Sequence, residues 1–174
     1  MKAMLVKVFC MAMMGGAGTL FADQVSDDNY AANSCFSTDS KLGDSAFWAV
    51  NAVELFANKD YEKSIAVVDT CFNLWAPEAG HKQKLLNEKG TDCPPTGKVN
   101  RIVKRNIEDN YLMNDVSMAL WAKARSLHKL KRIESAIKAY SQCVYMACGR
   151  VWDPKGWFWS PAQDCTKKAQ RLIK

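Results

Sequence analysis

Residues 46–72 read AFWAVNAVELFANKDYEKSIAVVDTCF, and the same pattern returns 72 positions later, at residues 118–144, as MALWAKARSLHKLKRIESAIKAYSQCV. In both stretches apolar residues recur three or four positions apart, and neither contains proline or glycine. A short polar break, NKD in the first and KLKR in the second, divides each stretch into two halves. This pattern predicts two amphipathic helices in each stretch and therefore two copies of one helical hairpin.

Both copies resemble tetratricopeptide repeats (TPRs). Their second halves, KDYEKSIAVVDTCF and KRIESAIKAYSQCV, carry a bulky, an acidic, a small and an aliphatic residue in the order typical of that family. Trp48 stands where the family has its tryptophan, and Ala52 and Ala124 are small enough to let paired helices approach closely. The sequence departs from the family at Lys59 and Lys131, which replace the loop glycine. The resemblance implies an all-α fold, a TPR-like right-handed stack of helical hairpins (an α-solenoid) with a binding or scaffold role.

The first 22 residues differ from the rest of the chain. Lys2 and Lys7 are followed by a short apolar run and then by Ala22, which precedes a polar, acidic segment. This order is typical of a secretory signal peptide cut near Ala22, so we expect a secreted or periplasmic protein. No other stretch is long and apolar enough to predict a membrane span in the mature chain.

We expect the mature chain, residues 23–174, to be a single TPR-like domain. Its repeats are expected at about residues 46–75 and 118–147, with a capping segment and C-terminal capping helix within residues 150–174. Between the repeats, HKQKLLNEK is expected to form a short helix and TDCPPTGK a loop, because consecutive prolines and a glycine break a helix. Residues 99–129 are expected to be helical, with an interruption near Asn114 and Asp115.

Six cysteines follow the predicted signal peptide. An even number of cysteines in an exported chain predicts three disulfides, with 15 possible pairings. Each hairpin has a cysteine near its end, Cys71 in the first copy and Cys143 in the second. A second cysteine, directly preceded by an aspartate, follows 22 residues later in both copies. This spacing favours a bond between each hairpin and the segment after it. The preferred pairing is Cys71 with Cys93, Cys143 with Cys165 and, by elimination, Cys35 with Cys148.

The sequence offers no metal, cofactor or phosphate site. His81 and His128 are the only histidines, and neither has metal-ligand spacing to a cysteine or carboxylate. No serine or cysteine combines with them in a nucleophile motif, and no spaced carboxylate pair identifies a glycosidase. We therefore expect no metal and no cofactor, and an enzymatic activity has no support.

One helix of the second repeat combines an aromatic ring with cations on one face. The residues are Trp121, Arg125, His128 and Lys129, three or four positions apart. In a TPR-like stack this helix would line the concave surface, where such a face suits an acidic peptide or another envelope protein. The main hypothesis is a non-catalytic binding or scaffold module of the periplasm or envelope. Export argues against nucleic acid as the partner, and the basic run from Lys98 to Arg105 is the alternative face.

The stretch WDPKGWFWSPAQDC, residues 152–165, holds three of the six tryptophans. Its turn residues and the helix start at Ser160 favour a structural plug that closes the last hairpin. The alternative is a glycan-binding or glycan-hydrolysing, glucanase-like surface, because tryptophan rings stack on sugars while carboxylates bind hydroxyls. The residues of that alternative glycan face are Trp152, Asp153, Trp157 and Trp159.

Overall fold

A computed structural model describes residues 35–173, so the predicted signal peptide lies outside the described residues. In this range the chain forms six helices and one two-stranded antiparallel sheet. The helices are α1 (Asp44–Ala57), α2 (Tyr61–Glu88), α3 (Arg101–Glu108), α4 (Tyr111–Lys129), α5 (Ile133–Tyr145) and α6 (Pro161–Leu172). The strands are β1 (Val151–Asp153) and β2 (Trp157–Trp159). The predicted helical class is thus confirmed, and the small sheet was not predicted.

None of the described helices is long and apolar enough to cross a membrane.

The two predicted hairpins have the same turn, although their helices differ in length: α1 and α2 have 14 and 28 residues, and α4 and α5 have 19 and 13. Residues 58–60 join α1 to α2, and residues 130–132, 72 positions later, join α4 to α5. The middle residue of each turn is a lysine in the left-handed region, Lys59 with φ 70° and Lys131 with φ 59°. Glycine adopts this conformation without strain, whereas a lysine does so at a cost that the surrounding hairpin must offset. The internal repeat is therefore present in the backbone as well as in the sequence.

The core lies where α4 packs against α1, α2 and α5. Trp48 is fully buried there, and its indole Nε1 donates to the carbonyl oxygen of Val67 at 3.0 Å. Ala52 and Ala124 are fully buried as well. The Ser64 hydroxyl donates to the carbonyl oxygen of Ala52 at 2.8 Å, which is possible only because both side chains are small. The predicted close approach of paired helices is confirmed at these positions.

Helix α2 is longer than the sequence predicted, because it continues through Pro77 to Glu88. A proline inside a helix removes one backbone hydrogen bond, so this extension needs contacts from elsewhere. Buried Gln83 supplies one, since its Oε1 accepts from the backbone N–H of Cys148 at 2.9 Å. Ala79 is buried on the same part of the helix. Tertiary packing therefore overrides the local breaker, and the separate short helix expected at HKQKLLNEK is instead the end of α2.

The interruption in the second long helical stretch lies earlier than expected. The chain breaks between α3 and α4 at Asp109 and Asn110, whereas the sequence predicted a break near Asn114 and Asp115. Asn114 is tolerated inside α4 because its side-chain amide is satisfied. The amide nitrogen donates to the Ile107 carbonyl at 2.7 Å, and the amide oxygen accepts from the N–H of Arg150 at 2.9 Å.

The three disulfides join Cys35 to Cys71, Cys93 to Cys148, and Cys143 to Cys165. The predicted bond between Cys143 and Cys165 is confirmed, whereas the predicted pairings of Cys71 with Cys93 and of Cys35 with Cys148 were wrong. The reason is the length of α2. At 1.5 Å per residue, the unbroken helix carries the chain about 25 Å away from Cys71 before it turns. Cys93 therefore meets the segment after α5 instead.

The C-terminal segment has the predicted turn and helix start. The N–H of Gly156 donates to the Asp153 carbonyl at 2.8 Å, and the Ser160 hydroxyl caps α6 by accepting from the N–H of Gln163 at 3.3 Å. Phe158 is buried, with 3% of its surface exposed, and serves as the plug. Trp152 and Trp157 are 48% and 36% exposed, so the predicted plug does not bury these two tryptophans.

Candidate functional site

Asp164, on α6, lies against the helix face on which the sequence predicted the partner site. Asp164 Oδ2 accepts from Trp121 Nε1 at 2.8 Å and from Arg125 Nη1 at 2.9 Å. Phe56 and Trp159 stand edge-on to the Trp121 ring, with centroids 5.3 and 5.5 Å away. The guanidinium carbon of Arg125 lies 5.2 Å from the Trp121 ring centroid. Arg125 is therefore not a free cation of the predicted partner face, since its side chain is 21% exposed and paired with Asp164.

Next to this cluster lies a pocket of about 350 Å³, which we call the cationic pocket. Its lining side chains are those of Arg125, His128, Lys129, Lys131, Ile133 and Lys168. None of these six is acidic. The pocket therefore brings together three of the four predicted partner-face residues, while Trp121 stands behind Arg125 in the aromatic cluster.

Two cations of the pocket, Lys131 and Lys168, were not predicted as site residues. Lys131 lines the pocket because its left-handed backbone turns the chain back beside the end of α4. Lys168 enters because α6 packs across α5 and α4. Helical periodicity does not show which helices α6 approaches, so nothing in the sequence indicated that Lys168 belongs to the site.

Burial and the positive charges nearby affect the pKa of His128. Its Nδ1 lies 3.0 Å from the hydroxyl oxygen of Tyr140, and the two rings pack edge to face. Burial lowers the pKa of His128 below its ordinary value, and the cations Arg125, Lys168 and Lys129 lower it further. Protonation of the ring therefore requires a more acidic solution than the ordinary histidine pKa of about 6.5 suggests.

The residues of the alternative glycan face do not share one surface. Trp152 pairs with Phe158 across the hairpin, whereas Asp153 pairs with Trp157. Because side chains alternate between the two faces of a strand, Trp152 lies on the opposite face of the hairpin from Asp153 and Trp157. Trp159 lies on the face of Trp157 but packs against Trp121. A continuous platform of three tryptophans is therefore not formed.

Within residues 35–173, no group of three or more histidine, cysteine or carboxylate residues could hold a metal ion. All six cysteines in this range are in disulfides, so none is a free thiol.

Comparison with known proteins adds no relative: no protein-family model matches the chain, and neither a curated protein nor a solved structure matches it.

Proposed function

We propose that the chain is an exported, non-catalytic, TPR-like binding module of the periplasm or cell envelope that holds an acidic protein segment in the cationic pocket. The observation that carries this proposal is the convergence of four permanently charged cations and a histidine on one pocket of about 350 Å³. The acidic segment would be part of another envelope protein or a peptide with a free carboxylate.

The cations come from separate parts of the chain. Lys129 ends α4, Lys131 lies in the turn after it, and Lys168 is on α6. Charges along one solvated helix face are a common by-product of amphipathicity, but here Lys168 of α6 joins the cations of residues 125–131 from a distant part of the chain. Among residues 35–173, only Arg125 of these cations forms an ion pair within 4.0 Å. The other three remain available to carboxylates of a partner.

The rest of the fold fits this role. Three disulfides suit an oxidising compartment outside the cytoplasm. Two hairpins with the same three-residue turn, 72 positions apart, support a TPR-like relationship, and helical repeats present concave surfaces on which extended partners bind.

The test is a titration of the oxidised mature protein with a glutamate-rich peptide, compared with a glutamine-rich peptide of equal length. We expect the acidic peptide to bind more tightly, and the affinity to fall with added salt because the charges are exposed. The double substitution Lys129→Glu and Lys168→Glu should reduce the affinity by roughly tenfold or more, since each reversal replaces an attraction by a repulsion. Isothermal titration calorimetry measures both effects.

The matched control variant replaces Lys82 and Lys89 with glutamate. These two lysines are exposed, lie on or next to α2, and are outside the cationic pocket. This variant has the same net charge as the pocket variant, so equal losses of affinity in both would show non-specific attraction and contradict the proposal. Arg125 is left intact, because a glutamate there would face Asp164 and destabilise the fold.

A weaker second candidate is binding of a glycan through Trp157. The observation in its favour is that an exposed ring lies beside the carboxylate of Asp153 on one face of the hairpin. On this account Trp157→Ala should lose retention on a polysaccharide column while melting like the parent protein. Unchanged retention, or no retention of the parent, would exclude this candidate.

A further inference from the structure

A second and larger cavity lies on the side of the hairpin that carries Trp152. It has a volume of about 870 Å³ and is bounded by the start of α1, by α3, by the start of α4 and by β1. Its aromatic walls are Tyr111, Trp152 and Phe158. This volume and mixed lining are within the range of sites that bind small molecules.

Five charged side chains line the cavity, and three of them are cations: Lys41, Lys104 and Arg150, with Glu108 and Asp115 as the acids. Glu108 is engaged by Lys104, whose ammonium nitrogen lies 3.5 Å from its carboxylate. The same ammonium lies 5.2 Å from the centroid of the Trp152 ring, so Trp152 and a cation meet at the rim.

Arg150 is a buried cation without a counter-ion. It is only 5% exposed, and its guanidinium donates to the carbonyl oxygens of Pro94 at 2.7 Å, Ala147 at 2.9 Å and Gly149 at 2.7 Å. No carboxylate of residues 35–173 lies within 4.0 Å of it. The carbonyl groups satisfy three of the five guanidinium N–H groups but leave the full charge uncompensated, which is costly in a buried position. An anion in the adjoining cavity would supply the missing charge.

Asp115 is an acidic residue of the cavity whose negative charge would repel a bound anion. Its Oδ2 accepts from the Ser45 hydroxyl at 2.7 Å. Burial raises the pKa of Asp115 to about 6, because the charged form loses hydration, and the Ser45 bond offsets this only in part. The carboxylate accepts a proton more readily than an ordinary aspartate, so its repulsion of an anion weakens as the pH falls toward 6.

We propose that this cavity binds a small organic carboxylate with a flat, apolar body, whose charge is attracted by Arg150 and Lys104 while its body lies against Trp152. This site is independent of the cationic pocket, which has no lining residue in common with it.

The test uses three probes with one body and different heads: phenylbutyrate, phenylbutanol and phenylbutylamine, titrated into the oxidised mature protein at pH 7.5. We expect the carboxylate to bind roughly tenfold or more tightly than the alcohol, because a charge-assisted hydrogen bond is stronger than a neutral one. The amine should bind least, since Arg150 and Lys104 repel it. Equal or tighter binding of the alcohol or amine, or no binding of any probe, would overturn the proposal.

Variants locate the site without disturbing Arg150, whose three carbonyl contacts are structural. Lys104→Gln should weaken phenylbutyrate binding by roughly threefold, whereas Asp115→Asn should strengthen it by removing a like charge. The control is Lys84→Gln, because Lys84 and Glu88 form the same exposed i,i+4 pair on α2, away from the cavity.

The pocket variant with Lys129→Glu and Lys168→Glu should keep full affinity for phenylbutyrate. Loss of binding in that variant would place the probe in the cationic pocket and overturn the cavity proposal, while leaving the proposed acidic partner untouched.

Discussion

Replacing Trp48 with alanine is expected to lower the free energy of unfolding by about 3–5 kcal/mol, the range for a large aromatic side chain lost from a core. Trp48 is fully buried between α1, α2 and α4, and its indole donates to the Val67 carbonyl at 3.0 Å. The substitution removes this bond and leaves a cavity that the surrounding helices cannot fully close. Because small domains are stable by only about 5–15 kcal/mol, the variant should unfold far below the denaturant concentration of the parent.

The control for Trp48 is Trp157→Ala, which removes the same side chain from the surface of the hairpin. At 36% exposure, Trp157 should contribute clearly less than the fully buried Trp48. Guanidinium titrations followed by circular dichroism measure both variants. Equal losses at the two positions would contradict the assignment of Trp48 to the core and Trp157 to the surface.

Removing the disulfide between Cys93 and Cys148 by a double alanine substitution is expected to cost about 4 kcal/mol, according to the entropy of closing a long loop in the unfolded chain. The two cysteines are 55 residues apart in sequence, the longest separation among the three bonds. This bond also ties the loop before α3 to the segment that carries Arg150. Its loss should therefore loosen the large cavity as well as lower the stability.

The matched variant removes Cys143 and Cys165, which are 22 residues apart, and should cost about 3 kcal/mol by the same relation. Non-reducing peptide mapping of the parent protein comes first, because it identifies the bonded pairs directly. A peptide that links Cys71 to Cys93 would contradict the pairing in the structure and with it the long, unbroken α2.

The sequence predicted the local part of the fold well, because helix periodicity and turn chemistry depend on neighbouring residues. The turns at Lys59 and Lys131, the small residues Ala52 and Ala124, and the cap at Ser160 are examples. What could not be predicted depended on contacts between distant segments. Pro77 stays helical because Gln83 is held by the backbone of Cys148, and that contact is invisible in the sequence around Pro77.

The same distinction applies to the candidate site. The sequence placed Arg125, His128 and Lys129 together because they lie on one helix face. It gave no means of adding Lys168, or of bringing Asp164 onto Arg125, since both depend on the packing of α6. Short-range periodicity thus predicts which residues share a face of one helix, and tertiary packing determines which of them remain available to a partner.

The most direct test of the cationic pocket as the partner site is an NMR titration. Nitrogen-15-labelled, oxidised protein is titrated with the glutamate-rich peptide, and the shifts of the backbone amides are followed. We predict that the largest shifts cluster at residues 125–133 and around Lys168, where the pocket lies. Shifts confined to the basic run from Lys98 to Arg105, or spread evenly over the surface lysines, would contradict the proposal.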